Sequence, residues 1–201
     1  VMASDIYKAA KDNYKENYNM DILDDICDIE PSKIEDYDIL CAGFPCQPFS
    51  QAGHHKGFED SRGTMFSQVM RFVKQNIPKI IILENVQGLL NHDNGRCFRT
   101  IKTELEKEGY NVVYKVLKCS DYGIPQMRKR LFIVGFKNIE VSNLDKFFNL
   151  DEYKNTTTLT TYLGKNFEKD TAYTLRCGGR HSAIDDRHNW DGYWVDDVEY
   201  R

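Results

Sequence analysis

The chain has 201 residues, 41% of them hydrophobic and 12% aromatic, enough for one buried core or one core with a small satellite region. Its longest apolar runs, such as Ile80 to Leu83 and Leu131 to Phe136, fall far short of the roughly 20 residues that cross a bilayer, and no leader-like segment opens it, so neither membrane nor export is expected. The net charge of -4 excludes a uniformly basic nucleic-acid binder and confines such contacts to local patches, while six cysteines without a C-x-x-C pair exclude a zinc ribbon or disulfide framework and suit a reducing cytoplasm.

In chain order, Val1 to Asp5 reads as the end of a strand and Ile6 to Tyr18 as a helix, with Tyr7, Ala10 and Tyr14 at helical spacing. Tyr37 to Gly43 and Lys79 to Glu84 are short apolar runs with turn residues beyond them, and both are predicted to be buried strands. Between them Met65 to Gln75 has the period of a crossover helix, and Cys97 to Glu108 is a second amphipathic helix closed by Gly109. Tyr110 to Leu117 and Leu131 to Phe136 follow as strands, joined by the loop Cys119 to Arg130. This alternation predicts an α/β fold with a Rossmann-like, doubly wound, mostly parallel sheet. Beyond Val141 the composition turns to Asn, Thr, Asp and Gly, which divides the chain into a main domain over residues 1–140 and a smaller irregular region over 141–201. Thr156 to Thr161 reads as a Thr-rich linker within the second region.

Three segments carry chemistry. Gly43-Phe44-Pro45-Cys46-Gln47-Pro48-Phe49-Ser50 lies just past the carboxyl end of a predicted strand, where open α/β sheets bind ligands. A lone cysteine is more often a buried packing residue, but two prolines and a glycine fixing the backbone, with a polar loop beyond, favour Cys46 as a held, exposed nucleophile. Leu83-Glu84-Asn85-Val86 ends the second strand, which would aim Glu84 into the same crevice; a helix-capping or salt-bridged acid is the plainer alternative. Tyr122 to Arg130 is a Gly/Pro loop feeding a strand, in which Arg128 and Arg130 would share a face, either as site residues or as solvated or phosphate-contacting charges.

In this order, Gly43 to Ser50, Glu84-Asn85-Val86 and Gln126-x-Arg128-x-Arg130 resemble the motifs of bacterial DNA cytosine-5 methyltransferases of the restriction-modification type. Lys56 to Gly63 and Asp121 to Pro125 fit the same family, so the resemblance covers roughly Val1 to Lys137. It implies the S-adenosylmethionine-dependent methyltransferase fold and a covalent mechanism on a cytosine flipped from duplex DNA. Cys46 would be the nucleophile toward C6, Glu84 the acid that hydrogen-bonds N3 and the exocyclic amine, Arg130 the contact to the base carbonyl and Arg128 its companion. S-adenosylmethionine would be the cofactor, leaving S-adenosylhomocysteine, with no metal. Asp5 matches the acid for the ribose hydroxyls, Asp25 and Ile26 the pair at the adenine, with Asp21-Ile22 as a competing pair, and Pro45 lies near the methionine portion.

The resemblance also implies double-stranded DNA as partner, a monomer in the bacterial cytoplasm, and room for a cognate restriction endonuclease acting separately. Gln47, Ser50 and Arg62, in a loop expected to close over the flipped base, are assigned to DNA. Residues 156–201 fall where the family keeps its target-recognition region; Thr174-Leu175 resembles a dipeptide found there, and Arg176, Arg180 and Arg187 would meet guanines or phosphates. A complete member would begin with a further strand and a glycine-rich loop and end with a segment completing the sheet, so the chain reads as an excerpt of a longer enzyme, with an inactive natural or engineered fragment of a DNA methyltransferase as the alternative. An RNA cytosine-5 methyltransferase of the same fold is the alternative enzyme; a catalytically silent DNA-binding module and a thiol hydrolase fit less, since Cys46, Glu84 and Arg130 are all present and no histidine is placed as a base.

Overall fold

The structure, a computed structural model, describes residues 1–45, 65–139, 147–166 and 169–172, with the backbone of 193–195 and 198–200. Four strands form the main sheet: β1 (Ile39–Gly43), β2 (Ile80–Val86), β3 (Tyr110–Lys118) and β4 (Lys129–Lys137), in the order β1-β2-β4-β3. β1 and β2 are parallel, and β4 is antiparallel to both of its neighbours. Three strands therefore share one direction and β4 alone opposes them, so the sheet is mixed, with the parallel start that the sequence pattern implies and two antiparallel pairings made by β4. β4 slots between β2 and β3 instead of extending the sheet outward, a placement that a chain-order reading does not reveal.

Two helices cover one face. α2 (Met65–Asn76) buries Phe66, Val69, Met70 and Val73, the i, i+3, i+4, i+7 stripe of an amphipathic helix. α3 (Arg96–Lys107) buries Cys97, Phe98, Ile101 and Leu105. Both pack on Ile81 and Leu83 of β2 and Leu131 and Ile133 of β4, all fully buried. Burying each such side chain contributes roughly 1.5–3 kcal/mol. Along the other face Val134 and Phe136 gather Ile80, Ile82, Val113 and Phe148. α3 stops where Gly109 takes φ +79° and donates its N–H to the Glu106 carbonyl at 2.9 Å.

The amino-terminal segment is held differently. The strand expected over Val1 to Asp5 is, in the structure, a single parallel bridge between Ser4 and Leu23. The helix that follows, α1 (Lys8–Tyr18), starts two residues later than its periodicity suggests, because Asp5 Oδ1 accepts the Tyr7 N–H at 2.7 Å and closes a local turn first. No residue of α1 is buried; exposed ion pairs, Lys8 with Asp12 and Lys15 with Asp21 among them, line it instead.

In the second region, the Thr-rich linker turns out to contain a capped helical turn. Thr158 Oγ1 accepts the Thr161 N–H at 3.1 Å and opens α4 (Leu159–Leu163), which Gly164 ends at φ +70°. This region is laced to the loop ahead of β4: the Met127 N–H donates to Ala172, and the Ala172 N–H to Pro125. A short antiparallel pair, β5 (Tyr193–Val195) and β6 (Val198–Tyr200), lies near its end. No helix among the described residues is long and apolar enough to cross a membrane.

Candidate active site and cofactor cleft

Strand alternation puts Ile81, Leu83 and Asn85 of β2 toward the helices and Glu84 toward the opposite face. Arg130 sits near the start of β4, and because β4 runs antiparallel its start lies at the carboxyl end of β2. The register pairs Glu84 with Phe132 and Val86 with Arg130, so the acid and the arginine are diagonal neighbours on one face. Their side chains meet, with Arg130 Nε 2.6 Å from Glu84 Oε1. Arg130 is 22% and Glu84 38% exposed, so the pair is open to a ligand and is not sealed in the core. Such a partly exposed pair adds little to stability and much to orientation. The salt-bridged acid that the sequence left as the plainer reading of Glu84 is what the structure contains, and its partner is the arginine singled out with it.

β1 supplies the neighbouring element. Gly43 pairs with Glu84, and a Cβ built on Gly43 would lie 3.5 Å from Glu84 Oε2, so the carboxylate stands beside the strand end that leads to Cys46. Asn85, whose part in the motif the sequence left without a role, is buried and ties the two strand ends together. Its Nδ2 donates to the Phe44 carbonyl at 2.8 Å, and its Oδ1 accepts the Val86 N–H at 2.9 Å. An amide whose donor and acceptor are both engaged is a cheap buried polar group and a rigid spacer. The only hint in the sequence is an amide interrupting the apolar end of a strand. Arg128 lies just before β4, where its carbonyl accepts the Cys119 N–H at 2.9 Å, and it is half-buried like Arg130 while Met127 and Lys129 are exposed. That alternation fits the expected shared side for the two arginines.

A cleft of about 940 Å³ opens between the amino-terminal segment and β1, bordered by Asp5, Asp25, Ile26, Gly43, Phe44 and Pro45. All four residues assigned from the sequence to the cofactor are among them. Asp21, of the competing pair, meets Lys15 instead. Asp25 precedes a 3-10 turn, Ile26–Asp28, and its Oδ1 accepts the Cys27 N–H at 2.8 Å. That backbone donor first, and the Cys27 side chain second, hold the Asp25 carboxyl below its usual range. A depressed folded-state pKa means that this cap is intact above the ordinary carboxylate range and is lost only as pH falls through the lowered value. Of the remaining assigned residues, Cys46, Gln47, Ser50, Arg62, Arg176, Arg180 and Arg187 lie outside the described residues.

The family model for C-5 cytosine-specific DNA methylases matches residues 1–195. The chain is 46% identical over 147 residues to the type II methyltransferase M1.ScrFI of Lactococcus lactis subsp. cremoris, covering 73% of this chain and 38% of that protein. It is 42% identical over 175 residues to the type II methyltransferase M.SsoII of Shigella sonnei, covering 87% and 46%. It thus spans less than half the length of these curated relatives. Among solved structures, a mutant DNMT2 of Spodoptera frugiperda superposes with a TM-score of 0.55 at 25% identity, over 70% of this chain and 43% of that one. A match running through nearly the whole sequence, on a sheet that brings Glu84 and Arg130 together, makes this chain a member of the C-5 cytosine-specific DNA methylase family.

Proposed function

We propose that the chain carries the catalytic core of a DNA cytosine-5 methyltransferase, which moves a methyl group from S-adenosylmethionine to C5 of a cytosine flipped from a specific duplex sequence. The observation that carries this reading is the accessible Glu84–Arg130 pair beside Gly43, three residues ahead of Cys46. A carboxyl and a guanidinium held side by side present complementary donors and acceptors to the edge of one heterocycle, and flipping delivers that edge to a recessed site.

In this mechanism the Cys46 thiolate adds to C6, forming the S–C6 bond and pushing the C5=C6 electron pair toward C5. The Glu84 carboxyl donates its proton to N3 and accepts from the exocyclic amine, and Arg130 donates to the base carbonyl, so negative charge arising on the ring is relieved as sulfur adds. Arg128 supports Arg130 from the same side. Bound S-adenosylmethionine supplies an electrophilic methyl group to the nucleophilic C5. Transfer of the C5 proton to solvent and cleavage of the S–C6 bond, with its electron pair returning to the Cys46 sulfur, then restore the double bond and free the enzyme.

The cleft suits the cofactor chemically. Asp5 keeps Oδ1 on the Tyr7 N–H, and no described residue hydrogen-bonds its Oδ2, which leaves an acceptor for ribose hydroxyls. Asp25 and Ile26 offer an ionised acceptor and an apolar contact to the adenine, and Pro45 borders the methionine portion. Gln47, Ser50 and Arg62 contact DNA near the flipped base, and Arg176, Arg180 and Arg187 read or position the duplex. The protein works as a monomer in the bacterial cytoplasm, with any restriction endonuclease acting separately. The full-length enzyme, offered duplex DNA and transfer RNA side by side with labelled S-adenosylmethionine, is expected to label only the DNA. Label confined to the RNA would replace this reading with the RNA-modifying one.

A further inference from the structure

We infer that Arg71 of α2 is a positioning residue for the cofactor, fixing from behind the turn that presents Asp25 and Ile26 to the cleft. This inference rests on the reading of that cleft as the S-adenosylmethionine site. Ahead of the turn, Leu23 and Asp24 are tied to the chain start, through the Leu23 bridge, the Ser4 hydroxyl on the Asp24 carbonyl and Lys11 on the Asp24 carboxylate, but none of these contacts reaches the sheet or α2. None of the residues in Ile26–Asp28 is buried, and the hydrogen bond from the Cys27 N–H to Asp25 is internal to the turn, shaping it without attaching it to anything. The hydrogen-bonded tie to the core layer comes from 42 to 44 residues along the chain. Arg71 donates from one terminal nitrogen to the Cys27 carbonyl at 3.3 Å and from the other to the Ile29 carbonyl at 3.1 Å.

The guanidinium is itself aimed. Its first terminal nitrogen also donates to Gln68 Oε1 at 2.7 Å, one helical turn back on α2. α2 is fixed in turn to the sheet by Phe66, Val69, Met70 and Val73. A path of defined contacts therefore runs from the core through α2 and a planar fork to one carbonyl within the adenine turn and one at its end. A fork that spans two acceptors suits arginine and not lysine, whose ammonium acts as a point charge. Without it, the turn would occupy its binding-competent position for a smaller fraction of the time. Apparent affinity falls by that fraction, whereas turnover in the saturated complex is untouched.

The test uses the full-length enzyme. Calorimetric titration with S-adenosylhomocysteine and S-adenosylmethionine is expected to show Arg71→Ala binding about tenfold more weakly, with kcat at saturating cofactor and affinity for duplex DNA within about twofold of the parent. Arg71→Lys, able to meet one carbonyl only, is expected to fall between the two, and it carries the test alone if Arg71→Ala does not fold. Asp25→Ala and Ile26→Ala run alongside. If they weaken cofactor binding while the Arg71 variants do not, the inference is overturned and the cofactor reading stands. If neither weakens it, the cofactor reading fails and takes the inference with it. A loss of kcat at saturation matching the loss of affinity would also overturn it, because Arg71 would then act on the chemical step or on the scaffold as a whole.

Discussion

The seam between β2 and β4 and the amino-terminal segment up to Pro31 are built by opposite means. At the seam, every second side chain is sunk in a core formed with α2 and α3, and Glu84 and Arg130 ride on strands whose other faces carry Leu83, Leu131 and Ile133. In the amino-terminal segment, no residue of α1 is buried, and its Lys8–Asp12 and Lys15–Asp21 ion pairs are solvent-exposed. Among the described residues, Glu84 and Arg130, assigned to holding the ring, thus stand on strands whose other faces are sunk in the core, and Asp5, Asp25 and Ile26, assigned to the cofactor, on a segment in which no side chain is buried up to Glu30. Catalytic geometry requires the first, since small misplacements of reacting groups are expensive. Cofactor capture tolerates the second, provided that a few polar anchors hold the segment.

Substitutions can break or sharpen this contrast. The largest effect is expected from Glu84→Gln, which keeps the shape but removes the charge that pairs with Arg130: kcat should drop by roughly 10²–10⁴-fold with the fold retained, as initial rates and a circular dichroism spectrum would show. Leu83→Ala, one residue away but facing the core, should leave the chemistry in place and cost about 2–5 kcal/mol in denaturant unfolding. Asn85→Ala strips the Phe44 carbonyl of its side-chain donor and should cost about 1–3 kcal/mol while also lowering kcat, because the strand end leading to Cys46 loses its tie. At the small end, Lys8→Ala on α1 should leave the denaturation midpoint unchanged, since both partners of the Lys8–Asp12 pair are largely exposed. A large shift for Lys8→Ala, or none for Leu83→Ala, would erase the distinction between the two regions.

Much of this was legible in the sequence where the signal is local. Ile80 to Leu83 announces β2, the spacing of Phe66, Val69 and Val73 announces α2, and Gly109 marks the end of α3. Three motifs in order identified the family that the family model then matched. What stayed hidden depends on partners far along the chain. That Ser4 bridges Leu23, that β4 inserts between β2 and β3, and that Arg71 reaches the carbonyls of Cys27 and Ile29 are consequences of tertiary closure, which no window of periodicity contains. Local competition explains the smaller misses: Asp5 delays α1 by taking the Tyr7 N–H, and Thr158 converts a Thr-rich linker into a capped turn.

In the proposed mechanism Cys46 attacks C6 of a flipped cytosine while Glu84 and Arg130 hold the ring. The most direct measurement is covalent trapping: the full-length enzyme, S-adenosylmethionine and a duplex carrying 5-fluorocytosine at the target position, followed by denaturing electrophoresis. Fluorine at C5 blocks the final elimination, so the parent enzyme should accumulate as a protein–DNA adduct and Cys46→Ser should form none. An adduct of equal yield with Cys46→Ser would rule out Cys46 as the nucleophile.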